Sequence, residues 1–489
     1  MKNKILNISI ALGVCICVFF CSLTTTSCVK EDDYLDSLVD IKFSTDTLKF
    51  DTVFTTLGST TKQVRVYNTS NYPIKFDRVT LKNGVDSRFR INADGDTSMV
   101  IRDLEIAAND SIFIFVRVNI NPNNSSNPFV IDDGIVFEVG SHTKILPLQA
   151  FGRNAIYHIP NHSLTSGGMV YNYSIIDCSQ PWEAGKPHIV FGYAVVDEDS
   201  VLTINQGTEI YFANDACLWV YNGGTLNIEG NNNNPVLLTS LRKDGHYHNL
   251  PGQWQGLWLS AGSKNNVING AVIENATVGI LIDTVANNNP TLKITNSIVQ
   301  NMSLAGIYGQ GAVVEGDNLL VANCETATVA LTLGGKYKFT NSTFANYWSH
   351  TARRSPSVIL NNWYEDVYGN IQLRPLTLAE FDNCIIYGSM EEELSFDVTD
   401  MTDFIPVFNN CLIKTKHDVA TLFSTSIVNE NPQFVDVENS NYHIKDNSPA
   451  RNAGSFLYIT IPYDLDNVPR GNPPSIGAYE YVEIDEETK

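Results

Sequence analysis

The chain has 489 residues, with 32 Lys and Arg against 53 Asp and Glu and a formal net charge of −21. So acidic a surface disfavours nucleic acid and offers no general attraction for polyanions such as pectin; a neutral polymer, or an anionic one bridged by cations, stays open. Setting the N-terminal segment aside leaves Cys178, Cys217, Cys324, Cys384 and Cys411, an odd and widely spaced set that argues against a dense disulfide framework.

Lys2 and Lys4 precede an apolar run from Ile5 to Leu23, which reads as an export signal rather than a stable membrane anchor. Thr25-Thr26-Ser27-Cys28 then places small residues before a cysteine. This resembles a bacterial lipoprotein signal in the looser form common in Bacteroidetes. The resemblance implies loss of residues 1–27, lipid attachment at Cys28 and an outer-membrane address. Val29-Lys30-Glu31-Asp32-Asp33 is similar to the charged signal that sends such lipoproteins to the exterior face. Residues 28–40 are expected to be a tether.

Between residues 41 and 153 apolar and polar residues alternate in short runs such as Lys62–Tyr67, Ser111–Val118 and Gly134–Val139. Period two means a sheet with one buried face, and the stretch suits a small β-sandwich. It resembles the immunoglobulin-like modules that precede bacterial surface domains, which implies a spacer.

From 154 to 489 the pattern changes. One phrase recurs, an apolar residue, small or polar residues, Asn, a small residue, then another apolar run: Val267-Ile268-Asn269-Gly270, Ile294-Thr295-Asn296-Ser297, Phe339-Thr340-Asn341-Ser342, Phe381-Asp382-Asn383-Cys384 and Phe408-Asn409-Asn410-Cys411, with a degenerate copy at Gly316-Asp317-Asn318. Anchored at 270, 296, 318, 341, 383 and 410, the intervals are one coil long except that from 341 to 383, which fits two coils or one with a large insert. Asn tolerates left-handed backbone angles and its amide reaches the neighbouring coil. A second polar column follows at Asn275, Asn301, Asn323 and Asn346, then Gly388 and Thr415. Stacking of such units buries an apolar face that one coil cannot bury alone. The fold class is therefore all-β, a sandwich followed by a right-handed, single-stranded parallel β-helix. With Leu202–Ile210, Gly224–Gly230, Pro235–Ser240 and Trp254–Leu259, the chain resembles the pectate-lyase-like superfamily of bacterial surfaces. Asn431–Asp436, Asn447–Gly454 and Ile476–Glu480 resemble its closing segments, which implies that they cover the last coil. Cys384 and Cys411 share a register and are expected to stack reduced in the core.

In this register the loops Ser240–Gln253 and Tyr347–Pro356 leave one corner four rungs apart, about 19 Å at the usual strand spacing. They carry Arg242, Lys243, His246, Tyr247 and His248, and Tyr347, Trp348, His350, Arg353 and Arg354. Aromatic rings pack on sugar faces while Arg and His donate to hydroxyls or carboxylates, so the ligand-binding candidates are Arg242, His246, Tyr247, His248, Tyr347, Trp348, His350, Arg353 and Arg354. Bare surface loops are the competing reading. The spacing of Trp254 and Trp258 puts both indoles on one side of a strand, with packing favoured for Trp254.

A lyase needs a base and a carboxylate neutraliser, and an inverting hydrolase needs two carboxyls about 6.5–9.5 Å apart. Glu274 and Glu325 are the acids nearest the corner, but no paired-aspartate or arginine-centred signature accompanies them. Whether the protein is an enzyme stays open, and no catalytic residue is assigned. No metal site is expected: His246-Tyr247-His248 lacks further ligands, and Asp197-Glu198-Asp199 lacks a calcium-loop spacing, although Ca²⁺ is compatible with it. Glu391-Glu392-Glu393 reads as an exposed turn. The expected protein is a monomeric surface lipoprotein that binds polysaccharide or oligosaccharide, with a lyase or hydrolase and a structural or adhesive role as alternatives.

Overall fold

The computed structural model describes residues 34–122, 128–243, 245–283, 291–399, 404–417 and 419–483; the export signal, Cys28 and the start of the tether lie outside them. The chain divides into two compact units after Gly152. In the first, alternating strands form two sheets. One orders Ile41–Phe43, Lys62–Asn68, Ser111–Val118 and Phe89–Ala93; the other orders Leu48–Phe54, His142–Arg153, Phe129–Val139, Arg78–Leu81 and Val100–Ile101. Inward side chains of both, among them Val64, Ile114, Phe137 and Leu146, make a single core.

The second unit is a parallel β-helix. Most of its strands lie in a seventeen-stranded and a ten-stranded sheet. One coil runs Asn266–Asn269, Ala271–Glu274 and Val278–Ile282. Ile268, Ile273 and Ile280 point inward from it and pair with Ile294, Val299 and Ile307 of the next. The larger sheet takes the first two strands of each coil, and the repeated phrase is the bend between them. Asn296, Asn318, Asn341, Asn383 and Asn410 have φ between 47° and 58°, and the amides of the first four reach the preceding coil: Asn318 donates to Asn296 (2.8 Å) and Asn383 to Asn341 (3.0 Å). The last of these settles the long interval. Phe339 pairs with Phe381 and Thr343 with Ile385, so residues 341 to 383 are one coil carrying inserts. Gly316 stands between Ile294 and Phe339 in this column, and a Cβ there would lie 2.5 Å from the Phe339 ring.

Asn383 is fully buried and also exchanges two bonds with Ser455, accepting from its N–H at 2.8 Å and donating to its carbonyl at 2.9 Å. Asn383→Ala is expected to lower stability by about 3 kcal/mol, from buried partners left unpaired and left-handed strain, while Asn383→Gly recovers roughly 1 kcal/mol of it because glycine carries no such strain. Urea midpoints of the two variants check the order.

Three expectations need correction. The C-terminal residues do not cover the last coil. Phe434, Tyr442, Ile444, Ile476 and Ala478 pack instead on Leu320, Ala322, Ala345, Ile385 and Leu412, on the outer side of the larger sheet. The last coil is covered by Phe423, whose ring lies 5.2 Å from that of Phe408. Trp254 and Trp258 face opposite ways, because Gly256 between them has φ 118° and breaks the alternation. Trp254 is fully buried against Phe212 at 3.9 Å, whereas Trp258 stacks on Trp219 at 4.7 Å on the outer side. Glu393 is fully buried rather than part of an exposed turn. Cys384 and Cys411 are free and buried, the Cys384 N–H lying 3.4 Å from the Cys411 sulfur.

Candidate functional site

The strands Val236–Ser240 and Thr343–Asn346 immediately precede the two loops. Pairing carries Leu238 to Ile273, Val299, Val321 and Phe344 in successive coils, so both loops leave one corner four rungs apart. Asn275, Asn301 and Asn323 stand at that corner with φ of 66°, 62° and 53°. Their amides are occupied by local structure. Asn275 donates to the carbonyl of His248 (3.1 Å) and Asn301 to that of Asn249 (2.7 Å), which pins the first loop. Asn323 donates to the Ser440 hydroxyl (2.8 Å) and accepts from the Tyr442 hydroxyl (2.6 Å), which pins a C-terminal hairpin.

A cleft of about 710 Å³ lies among these segments. Asn249 borders it from the first loop, Tyr347, Trp348, Ser349 and His350 from the second, and Val437–Ser440 from the hairpin, with Glu274, Gln300 and the asparagine column between. The Trp348 ring is mostly buried and its indole N–H donates to Thr351 at 2.9 Å, while His350 rests on it at 4.9 Å and is exposed. Tyr347 stacks on Tyr442 at 6.1 Å, tying this wall to the hairpin. Burial pushes the Tyr347 hydroxyl well above its ordinary value, so it is a donor rather than an anion. Glu274 accepts from Lys243 (2.6 Å) and Thr239 (2.9 Å) through one oxygen. Neither Arg nor Lys is among the described lining residues.

Tyr347, Trp348 and His350 therefore come together, whereas Arg242, Tyr247, His248 and Arg354 do not line this cleft. Arg242 lies over the Tyr247 ring at 3.3 Å, and His248 and Arg354 are exposed; the His246 side chain lies outside the described residues. Arg353 is corrected from a ligand candidate to a structural residue. Its side chain is 2% exposed and paired with Glu393, which is 0% exposed and also accepts from Ser357 Oγ (2.6 Å) and the Met390 N–H (2.8 Å). Glu274 and Glu325 do not share the cleft; Glu325 accepts from Thr351 at 2.9 Å instead. Among the described residues, no three His, Cys, Asp or Glu side chains are grouped to hold a metal ion. The hairpin wall was missed, though Phe434–Asp436 and Asn441–Ile444, two alternating runs around a polar turn, carry the ordinary hairpin signal.

Residues 175–279 match the family described as a pectate-lyase like beta helix domain. Among solved structures, the crystal structure of pectate lyase Pel9A is 13% identical over 61% of this chain and 88% of its own, with a TM-score of 0.30. A family 123 glycoside hydrolase from Clostridium perfringens is 10% identical over 24% of this chain and 28% of its own, TM-score 0.18. The VesB protease of Vibrio cholerae is 9% identical over 23% and 32%, TM-score 0.17. The chain thus spans about a third or less of these last two structures. No curated protein sequence matches it.

Proposed function

We propose that the protein is a lipoprotein, anchored through Cys28 to the exterior face of the outer membrane, that binds neutral segments of extracellular glycans in the corner cleft. The N-terminal unit serves as an immunoglobulin-like spacer. The lining of the cleft carries this reading: a tyrosine, tryptophan and histidine wall faces amides, hydroxyls and carboxylates, with neither Arg nor Lys among the described lining residues. Aromatic surface takes the apolar face of a sugar, and the Gln300 and Asn249 side chains offer both donors and acceptors to hydroxyls. Uronate chains fit less well, since Glu274 and Glu438 lie in the lining and no guanidinium among the described lining residues answers a substrate carboxylate. Catalysis has less support for the same reason: Arg353 is held by Glu393, and Glu274 is held by Lys243.

Neutral oligosaccharide arrays followed by product analysis test the proposal. Binding without cleavage is expected, and Gln300→Ala or His350→Ala should each weaken it about tenfold, the value of one lost hydrogen bond. New reducing ends would move the assignment to a hydrolase, and unsaturated ends to a lyase. Tight binding that ignores both substitutions would place the ligand elsewhere.

A further inference from the structure

The outward face of the four-stranded sheet in the first unit departs from the rest of this acidic chain. None of its strands, Ile41–Phe43, Lys62–Asn68, Ser111–Val118 and Phe89–Ala93, contains Asp or Glu. Their inward residues fill the core, and the outward residues include Lys42, Arg65, Arg90 and Arg117 with Phe113 and Phe115. The four cations are exposed, and no ion pair engages any of them among the described residues. Arg90 and Arg117 are direct cross-strand partners, an arrangement that is destabilising unless an anion lies over it. Arg65 is fixed between rings, 5.1 Å from Phe113 and 5.3 Å from Tyr67, with its Nε donating to Ser111 at 2.8 Å. Phe113 and Phe115, two apart on one strand and so on one side, are 41% and 43% exposed. Two exposed phenyl rings among cations without an ion-pair partner on one sheet face match the headgroup layer of a bilayer, where rings sit beside acyl chains and cations meet phosphates.

We propose that this face lies on the anionic lipid surface of the membrane. The proposal rests on the lipid-anchor reading, because Cys28 precedes Ile41, the first residue of the edge strand of the same sheet, by only 13 residues in sequence. The acids that adjoin these strands in sequence, Asp40, Asp94 and Asp110, lie just beyond the strand ends. Charges elsewhere are screened over roughly 8 Å at physiological salt, so the net charge of the chain does not prevent local contact.

The chain from Cys28 onward, prepared without lipid, is tested by co-sedimentation with phosphatidylcholine vesicles with and without phosphatidylglycerol. Binding is expected only with the anionic lipid and is lost at high salt. Arg90→Ala with Arg117→Ala should weaken it about thirtyfold, near fivefold per charge. Phe113→Ser should weaken it without changing its salt dependence, and Lys42→Glu, at an exposed edge position, provides a change with little bearing on folding. Equal binding to both vesicles, no binding, or binding to heparin alone would overturn the proposal; heparin alone would reassign the face to acidic glycans. The anchor is tested separately by the mass of the mature protein: an unmodified Cys28 would overturn the anchor and remove the reason for choosing the membrane.

Discussion

Arg353→Ala is expected to lower unfolding stability by about 3–5 kcal/mol, the usual consequence of stranding one member of a buried ion pair. Glu393 keeps Ser357 and the Met390 N–H as partners, but its charge loses the guanidinium that answers it in a site closed to water. Glu393→Ala should be as damaging, because Arg353 then stays buried with only the Ser355 carbonyl (3.0 Å) and the Ser389 hydroxyl (3.3 Å). Replacing both, Arg353→Met with Glu393→Leu, should return most of the loss, as apolar groups of similar size remove the charge altogether. Denaturant midpoints for the three variants give the comparison. Single variants close to wild type would mean that the pair is open to solvent. The second loop should also loosen in the single variants, so the proposed glycan binding should fall with stability.

Acidification should weaken the start of the β-helix. Trp182 stacks on both His158 and His188, at 4.5 Å and 4.1 Å, and the two imidazoles lie side by side, His158 Nε2 being 2.9 Å from His188 Nδ1. Burial holds His158 down to about 4, and burial with the neighbouring His158 holds His188 down to about 3. Both rings are therefore neutral in the folded protein, while the unfolded chain takes up protons below its ordinary value near 6.5. The unfolded state binds more protons in this window, so the stabilisation is complete above about pH 6.5 and is lost as pH falls towards 4. The loss should reach roughly 3–6 kcal/mol for the two rings together. Thermal midpoints of wild type and of His158→Phe with His188→Phe, followed from pH 7 to pH 4, isolate the effect from that of carboxylates. Parallel pH curves for the two proteins would show that the histidines are not responsible.

The axial repeat was legible because its cause is local. An asparagine that tolerates a left-handed bend must recur with the coil, and residues 296, 318, 341, 383 and 410 do so, Asn318 and Asn383 also donating to their equivalents one coil back. The second column was less regular: Asn275, Asn301 and Asn323 adopt positive φ, whereas Asn346 does not, since the chain leaves there into the insert. Side-chain roles in the loops were not legible. Arg353 and Glu393 are 40 residues apart, and nothing near either indicates that both are buried. The outer packing of the C-terminal segment had a visible cause: Leu319-Leu320-Val321-Ala322 is apolar without alternation, as a strand covered on both faces should be.

That same C-terminal segment changes how the stack can come apart. In a simple array of repeats each coil touches only its neighbours, and ends fray independently of the middle. Here one stretch of chain reaches the corner at Asn232, which donates to the Asp464 carbonyl at 3.0 Å, and also Asn318, Asn341 and Asn383. Coils that are not adjacent share a fastening, so opening one rung exposes the apolar side of the strap over several. The β-helix should lose its amide protection as a block rather than coil by coil, and the cleft wall at Val437–Ser440 should open only with that block.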